Sequence, residues 1–194
     1  MWRALTVNRA STSPSWSPDG KRIAYASEGH INIVDAVGGE PVRLTRAEGY
    51  YDVGPSPRWS TDGARLAFAS VVDGNNLDVF IVNADGSGLT NVTRNSAWDG
   101  PPSWSPDGTR LAFASTRAAS PANRGDVNVV EVDGTNVKRL TSIGADAPAW
   151  SPDGRQIIFD SDGKLHVMNA DGSSVGRLTT PPRNSWDSAP VWRR

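Results

Sequence analysis

The sequence predicts an all-β fold built from tandem four-stranded antiparallel sheets, and three observations predict it. The first is compositional. The 194 residues carry 17 Asp but only 4 Glu, with 19 Gly and 14 Pro, a set suited to turns rather than helices. The second is periodic: no window sustains an apolar spacing of 3.6 residues, whereas short runs alternate with a period of two. The third is repetition. Trp16-Ser17-Pro18-Asp19-Gly20 recurs as Trp59-Ser60-Thr61-Asp62-Gly63, Trp104-Ser105-Pro106-Asp107-Gly108 and Trp150-Ser151-Pro152-Asp153-Gly154, and Trp192 stands where a fifth copy would begin. The tryptophans are 43, 45, 46 and 42 residues apart, and Leu5-Thr6, Leu44-Thr45, Val92-Thr93, Leu140-Thr141 and Leu178-Thr179 keep the same beat. A period of that length with four short strands per unit marks the blades of a β-propeller.

Each unit divides into strands A to D. Strand A ends at the Trp, and Ser-Pro-Asp-Gly then suits a type I turn closed by a left-handed Gly. Strand B places Ile23/Tyr25, Leu66/Phe68, Leu111/Phe113 and Ile157/Phe159 on one face. Ala24/Ala26, Ala67/Ala69 and Ala112/Ala114 occupy the other. Both faces are apolar, so the large face of one sheet nests on the small face of its neighbour. In the fourth unit Ile158 and Asp160 replace the small pair, which places Asp160 either on a packed face or at the strand's exposed end. Strand C covers 31–34, 79–82, 127–130 and 165–168. Asp85-Gly86, Asp133-Gly134 and Asp171-Gly172, with Gly38-Gly39 in the first unit, turn the chain into strand D. The expected blades are about 14–45, 57–93, 102–141 and 148–179. Partial elements flank them at 2–6 and 190–193, so that four complete repeats make one array over 1–194. The four repeated tryptophans are expected to wedge between blades.

The balance of 20 Lys+Arg against 21 Asp+Glu argues against a nucleic-acid binder, which needs a clustered basic excess. No apolar run approaches the roughly 18 residues of a membrane span, and Met1 to Ser11 lacks the apolar stretch of a secretory signal. With no Cys, disulfides and thiolate metal sites are excluded.

The pattern P-x-W-S-P-D-G-x-x-[I/L]-A-F-x-S, then an apolar strand, N-A-D-G and R-L-T, is carried by Pro102 to Ser115, Asn83 to Gly86 and Arg139 to Thr141. It resembles the WD40-like propeller repeat of the TolB family over nearly the whole chain. The resemblance implies a propeller that receives extended peptides and protein partners near its channel, and an exported bacterial protein, periplasmic or extracellular. Members of such families generally have six blades; this chain has four complete ones. It is therefore expected to be an excised part, a small ring, or an arc completed by a second chain as a homo-oligomer.

Loop variation indicates the working face. The A–B turns are nearly uniform, while the B–C and D–A connections differ in length and content and emerge on one side, where function usually sits. In the D–A connections Asp52, Asp99, Asp146 and Asp187 precede the strand-A Trp by four to seven residues, three of them behind an aromatic: Tyr51, Trp98 and Trp186. Strand A is innermost, so a ring of carboxylates at the channel mouth would attract a basic side chain or Ca²⁺, with the aromatics as anchors. The competing reading is that each Asp caps a turn and each aromatic pads a junction.

No constellation for catalysis emerges. Gly172-Ser173-Ser174-Val175-Gly176 matches a nucleophile elbow, but that motif needs a strand-to-helix turn and a His partner, and Gly172 is in register with the turn glycines Gly86 and Gly134. His30 and His166 are isolated strand-C residues, unlike the clustered histidine of lyase propellers. Asn91-Val92-Thr93 is a glycosylation sequon overlying the Leu-Thr landmark. The function expected is a non-catalytic scaffold that binds a protein or peptide without a cofactor. The alternatives are a self-assembling module with no ligand of its own, and a carbohydrate platform on Trp98 and Trp186.

Overall fold

The computed structural model describes residues 12–45, 56–72, 76–118, 125–182, 185 and 187–192. These contain no helix and form four antiparallel four-stranded meanders. Blade one comprises β1 (Thr12–Trp16), β2 (Arg22–Ser27), β3 (His30–Asp35) and β4 (Val42–Arg43). Blade two comprises β5 (Arg58–Trp59), β6 (Arg65–Val72), β7 (Asn76–Asn83) and β8 (Thr90–Asn91). Blade three is β9 (Ser103–Trp104), β10 (Arg110–Ser115), β11 (Asp126–Glu131) and β12 (Lys138–Arg139). Blade four is β13 (Asp146–Trp150), β14 (Gln156–Ser161), β15 (Lys164–Asn169) and β16 (Gly176–Arg177). The tandem sheets are those of a β-propeller. The N-terminal partial strand expected at 2–6 lies outside the described residues.

The Ser-Pro-Asp-Gly turn, Ser-Thr-Asp-Gly in blade two, fixes the first hairpin of every described blade. In blade one Gly20 N–H donates to Ser17 O at 2.9 Å and Ser17 N–H to Arg22 O at 2.8 Å. Ser17 Oγ donates to Asp19 Oδ1 at 2.6 Å and accepts from Arg22 N–H at 2.9 Å. The Ser hydroxyl, and then the Lys21 N–H, hold the Asp19 carboxyl below its ordinary value, and Asp62, Asp107 and Asp153 are lowered likewise by Ser60, Ser105 and Ser151. The turn sets the register, so each Trp faces the first large residue of the next strand: Trp16 opposite Ile23, Trp59 opposite Leu66, Trp104 opposite Leu111, Trp150 opposite Ile157.

The core lies between blades. Ala24, Ile31, Ile33 and Leu44 of blade one meet Trp59, Leu66, Phe68, Phe80 and Val82 of blade two. Ala67, Val79, Ile81 and Val92 then meet Trp104, Leu111, Phe113 and Val130. Ala112, Val127 and Val129 meet Trp150, Ile157, Phe159 and Met168. The alternation of large and small residues along strand B thus becomes the packing rule, each fully buried large side chain contributing about 1.5–3 kcal/mol.

Tryptophan joins the blades in a second way. Trp59 Nε1 donates to Ser15 O at 3.1 Å and Trp104 Nε1 to Arg58 O at 2.9 Å, so each indole reaches the carbonyl just before the preceding blade's Trp. Arg22, Arg65 and Arg110 lie over Trp59, Trp104 and Trp150 at 4.7, 4.9 and 4.9 Å from the ring centroid, a cation–π geometry. Trp59, Trp104 and Trp150 are 8, 7 and 6% exposed, whereas Trp16 is 60% exposed. The expectation that all four act as wedges is corrected for Trp16, over which no arginine lies among the described residues.

The Leu-Thr landmark also has a physical cause. The hydroxyls of Thr45, Thr93, Thr141 and Thr179 accept the N–H of Ile31, Val79, Val127 and Leu165 at 2.9–3.0 Å, extending strand pairing with a side chain. Leu44, Val92 and Leu140, before the first three of these, pack under the next blade's turn glycine. Gly134 has φ +87°, and a Cβ there would lie 2.8 Å from Val92 O. Gly20 has φ +69° with nothing within 4 Å. Gly20→Ala should therefore cost only the left-handed penalty, about 1–2 kcal/mol. Gly134→Ala should cost at least twice as much in urea denaturation, because blade three must also move off Val92. Equal losses would show that the close approach contributes nothing.

Candidate functional site

The connection from blade two to blade three is held by its own backbone. Asp99 N–H donates to Leu77 O at 2.8 Å, Gly100 N–H to Ala114 O at 2.7 Å and Thr116 N–H to Trp98 O at 3.0 Å. Trp98 N–H donates to Thr116 Oγ1 at 3.0 Å. These bonds fix residues 98–100 between the starts of β7 and the end of β10 and turn neighbouring side chains opposite ways. Trp98 is 50% exposed and Asp99 fully buried.

Asp99 Oδ2 accepts from Arg117 Nη2 at 2.8 Å, while Oδ1 is buried with no hydrogen-bond partner. Burial pushes the Asp99 carboxyl above its ordinary value, opposed by the Ser115 and Thr93 hydroxyls and by Arg117. Arg117 also lies over the Phe113 ring at 5.3 Å and donates through Nε to Ser115 Oγ at 2.9 Å. Asp99 is thus an internal anchor of its connection, bonded to the Arg117 side chain and not to the backbone of its own turn.

The other acids occupy different situations. The N–H groups of Asp99, Ala145 and Asp187 donate to Leu77 O, Gly125 O and Gly163 O at 2.8, 2.7 and 3.1 Å, which makes these three residues equivalent. Asp146 therefore sits one position beyond Asp99 in the repeat. It is exposed, it opens β13, and its Oδ1 accepts from Ala147 N–H at 2.7 Å. It lies against blade three, since a Cβ on Gly100 would stand 3.8 Å from Asp146 Oδ1. Asp187 is half-buried. Tyr51, Asp52 and Trp186 lie outside the described residues. The structure therefore brings Trp98, Gly100 and Asp146 to one connection pair, with Asp99 beneath them.

A backbone feature of the innermost strands sets this arrangement. Ser13, Ala147 and Ala189 have φ of 52°, 48° and 49°, and each immediately precedes a proline and stands three residues before a Trp. In β1 and β13 the strand register shifts across that residue. A left-handed Ala before Pro is strained, and the bulge re-aims what precedes it, here Asp146.

Two buried carboxylates escaped the sequence reading. Asp78 accepts from Asn91 Nδ2 at 2.7 Å and Thr93 Oγ1 at 3.2 Å, and Asp126 from Arg139 Nη2 at 2.7 Å and Thr141 Oγ1 at 3.2 Å. An Asp fifteen residues before the landmark Thr in two repeats was the available signal. His30 takes that position in blade one beside Arg43, and burial, then Arg43, push its pKa down. His166 stacks on Phe159 at 5.5 Å. Asp160 Oδ1 accepts from Gly163 N–H at 3.1 Å, so it caps the β14–β15 turn. Asn91 Nδ2 is engaged with Asp78. Among the described residues no three His, Asp or Glu side chains come together as a metal would require, so the several oxygens that Ca²⁺ takes are not assembled by the described acids.

Four-stranded meanders stacked through tryptophan, with anchored connections on one side, define a β-propeller repeat protein. The chain matches the TolB beta propeller domain over residues 3–192 and belongs to that family. Among solved structures, it is similar to a protein described as TolB from Agrobacterium tumefaciens, at 27% identity and TM-score 0.73, covering 88% of this chain and 62% of that one. TolB from Acinetobacter baumannii is 25% identical with TM-score 0.69, covering 87% of this chain and 43% of the other. An oligogalacturonate lyase from Vibrio parahaemolyticus shares the fold at 16% identity and TM-score 0.73, over 92% of this chain and 55% of the lyase. The chain thus spans less than two thirds of the length of these TolB structures. No curated protein matches it in sequence.

The Asp99–Arg117 pair carries a testable consequence. Arg117→Met should cost about 3–5 kcal/mol at pH 7, the usual loss when a buried charge is left unpaired. Burial already holds the Asp99 pKa above its unfolded value. Its ionised form therefore penalises the fold above the folded pKa, and the penalty fades as pH falls through it. Urea denaturation should show a smaller Arg117→Met loss at pH 5 than at pH 7; a loss independent of pH would assign it to packing on Phe113.

Proposed function

We propose that this chain is a non-catalytic binding platform that receives a protein or extended peptide on the face formed by its variable connections. One observation carries the reading. Trp98 holds a half-exposed indole on a backbone tied at four points, two residues before Gly100, where a Cβ would stand 3.8 Å from the exposed Asp146 carboxylate. A rigid aromatic gives contact area at little cost in conformational entropy, as binding hot spots do, and an adjacent carboxylate selects a basic side chain. Membership of the TolB propeller family supports the same reading. Tyr51, Asp52, Trp186 and Asp187 extend the surface along the other connections in this proposal. Asp99 acts from beneath by holding Trp98 in place.

Peptides selected from a random display library against the wild-type chain provide the probe. Their affinity should fall at least tenfold on Trp98→Ala, and Asp146→Asn should weaken peptides containing Lys or Arg in a salt-dependent way. The melting temperature should stay within a degree or two, since both side chains are exposed. Selection of no peptide, or equal binding by both variants, would refute the reading.

A second reading rests on Trp16, which is exposed while its counterparts are buried. On that reading the chain is an assembly unit whose first blade meets another protomer. Sedimentation velocity distinguishes the two: a stable homo-oligomer dissociated by Trp16→Ala favours assembly, and a monomer that binds selected peptides favours the platform.

A further inference from the structure

The start of strand C and the end of strand D meet on the side of the variable connections, and the side chains that meet there differ from blade to blade. Fifteen residues before the landmark Thr stand His30, Asp78 and Asp126, and two before it stand Arg43, Asn91 and Arg139. Blade three holds a complete ion pair. Arg139 Nε donates to Thr141 O at 2.7 Å and Nη2 to Asp126 Oδ2 at 2.7 Å. Blade two keeps the acid and replaces the arginine by Asn91, whose Nδ2 donates to Asp78 Oδ2 at 2.7 Å. Blade one does the opposite. Arg43 keeps the seat, with Nε donating to Thr45 O at 3.0 Å and Nη2 to His30 Nε2, but the acid is gone. A guanidinium has no acceptor, so the imidazole must take that bond as a neutral ring. Burial and then Arg43 lower the His30 pKa, against Glu28 and the Thr45 backbone, and a neutral ring brings no countercharge. Arg43 is exposed, and among the described residues no carboxylate forms an ion pair with it. Its Nη1 group makes no hydrogen bond there.

We propose that Arg43 is a carboxylate-binding site: seated by Thr45 O and His30, its guanidinium receives from a ligand the acid that Asp126 supplies inside blade three. The donor sets the ligand chemistry. A planar guanidinium offers parallel N–H groups that match the two oxygens of a carboxylate. Two bonds already hold this one, which removes part of the side-chain entropy that makes ordinary surface ion pairs weak. Arg139, tied through the same Nε–carbonyl bond, does bond a carboxylate, so the seat is compatible with the contact proposed. Glu28 in the β2–β3 turn is the acid whose field reaches His30, and it opposes an incoming anion. The carboxylate can come from an acidic side chain or from a chain terminus. Trp98 and Asp146 are proposed to select the opposite charge, and the Arg43 site stands whether or not that surface binds a peptide.

The test uses the full chain with ¹⁵N-labelled arginine and sodium acetate as the probe, at an ionic strength held constant with sodium chloride. The Arg43 Nε–H resonance should saturate at an acetate concentration at least about fivefold below that needed at Arg94 or Arg155, which are also exposed, as a seated guanidinium requires. His30→Asp rebuilds the pair of blade three and should remove that preference, while Glu28→Gln should strengthen it. Equal saturation at all of these arginines would mark an adventitious ion only and overturn the proposal, as would a preference that survives His30→Asp. Arg43→Lys keeps the charge without the planar donors and does not depend on the folding of the His30 variant. Read at the Thr45 amide, it should weaken acetate binding severalfold, and an unchanged affinity would overturn the proposal equally. Two blocked dipeptides then separate the sources, one with only a glutamate side chain and one with only a free terminal carboxylate. Binding of either at Arg43 supports the site and names its ligand, and binding of neither counts against it.

Discussion

A propeller blade cannot bury its own faces, and the contact that resolves this here is the tryptophan at the end of each innermost strand lying on the blade before it. At Trp59 and Trp104 the indole does three things at once: its face takes the preceding blade's arginine, its N–H reaches that blade's backbone, and its bulk fills the space beside the short strand-B alanines. Trp150 keeps the arginine and the packing, while its Nε1 is buried without a hydrogen-bond partner. The turn after it fixes the register of strand B, so the large side chains arrive opposite the small ones. Glycine at 134, in the outer turn of blade three, is then required for a second reason beyond its left-handed backbone, because the Val92 carbonyl leaves no room for a Cβ. Packing, pairing and turn chemistry all specify one spacing between blades, the consistency expected of a sequence that encodes a single fold.

The fold was legible because each of these roles is filled by a residue type with few substitutes, repeated at a fixed interval. Trp, Asp-Gly and Leu-Thr can be aligned by eye, and the alternation along strand B names both faces. The function of the landmark threonine was not legible, since a hydroxyl that replaces a backbone acceptor leaves no periodic trace. Trp16 was misjudged because position in a repeat says nothing about whether a neighbour is present.

The acids of the connections were harder to read for a different reason. The composition pattern groups any Asp near the tryptophan, but Asp99 and Asp187 stand five residues before Trp104 and Trp192 while Asp146 stands four before Trp150, with Ala145 at five. The backbone bonds follow that offset, leaving the Asp146 carboxylate exposed and that of Asp99 buried against Arg117. Arg117 itself lies in a connection of variable sequence, where no repeat pattern points to it. A recurring residue type near a fixed landmark is thus a guide to composition, and the hydrogen bonds of the backbone decide which copies are equivalent.

The described core consists of separate clusters, one at each junction between consecutive described blades and two smaller ones within blade one and blade two. Cohesion is therefore distributed like the links of a chain, and no central mass secures every sheet together. Mechanical load or thermal agitation need sever only one joint first, and the sheets to either side keep their mutual grip. Such an object loosens joint by joint, so partial opening and renewed closure are available to it without collapse of the whole.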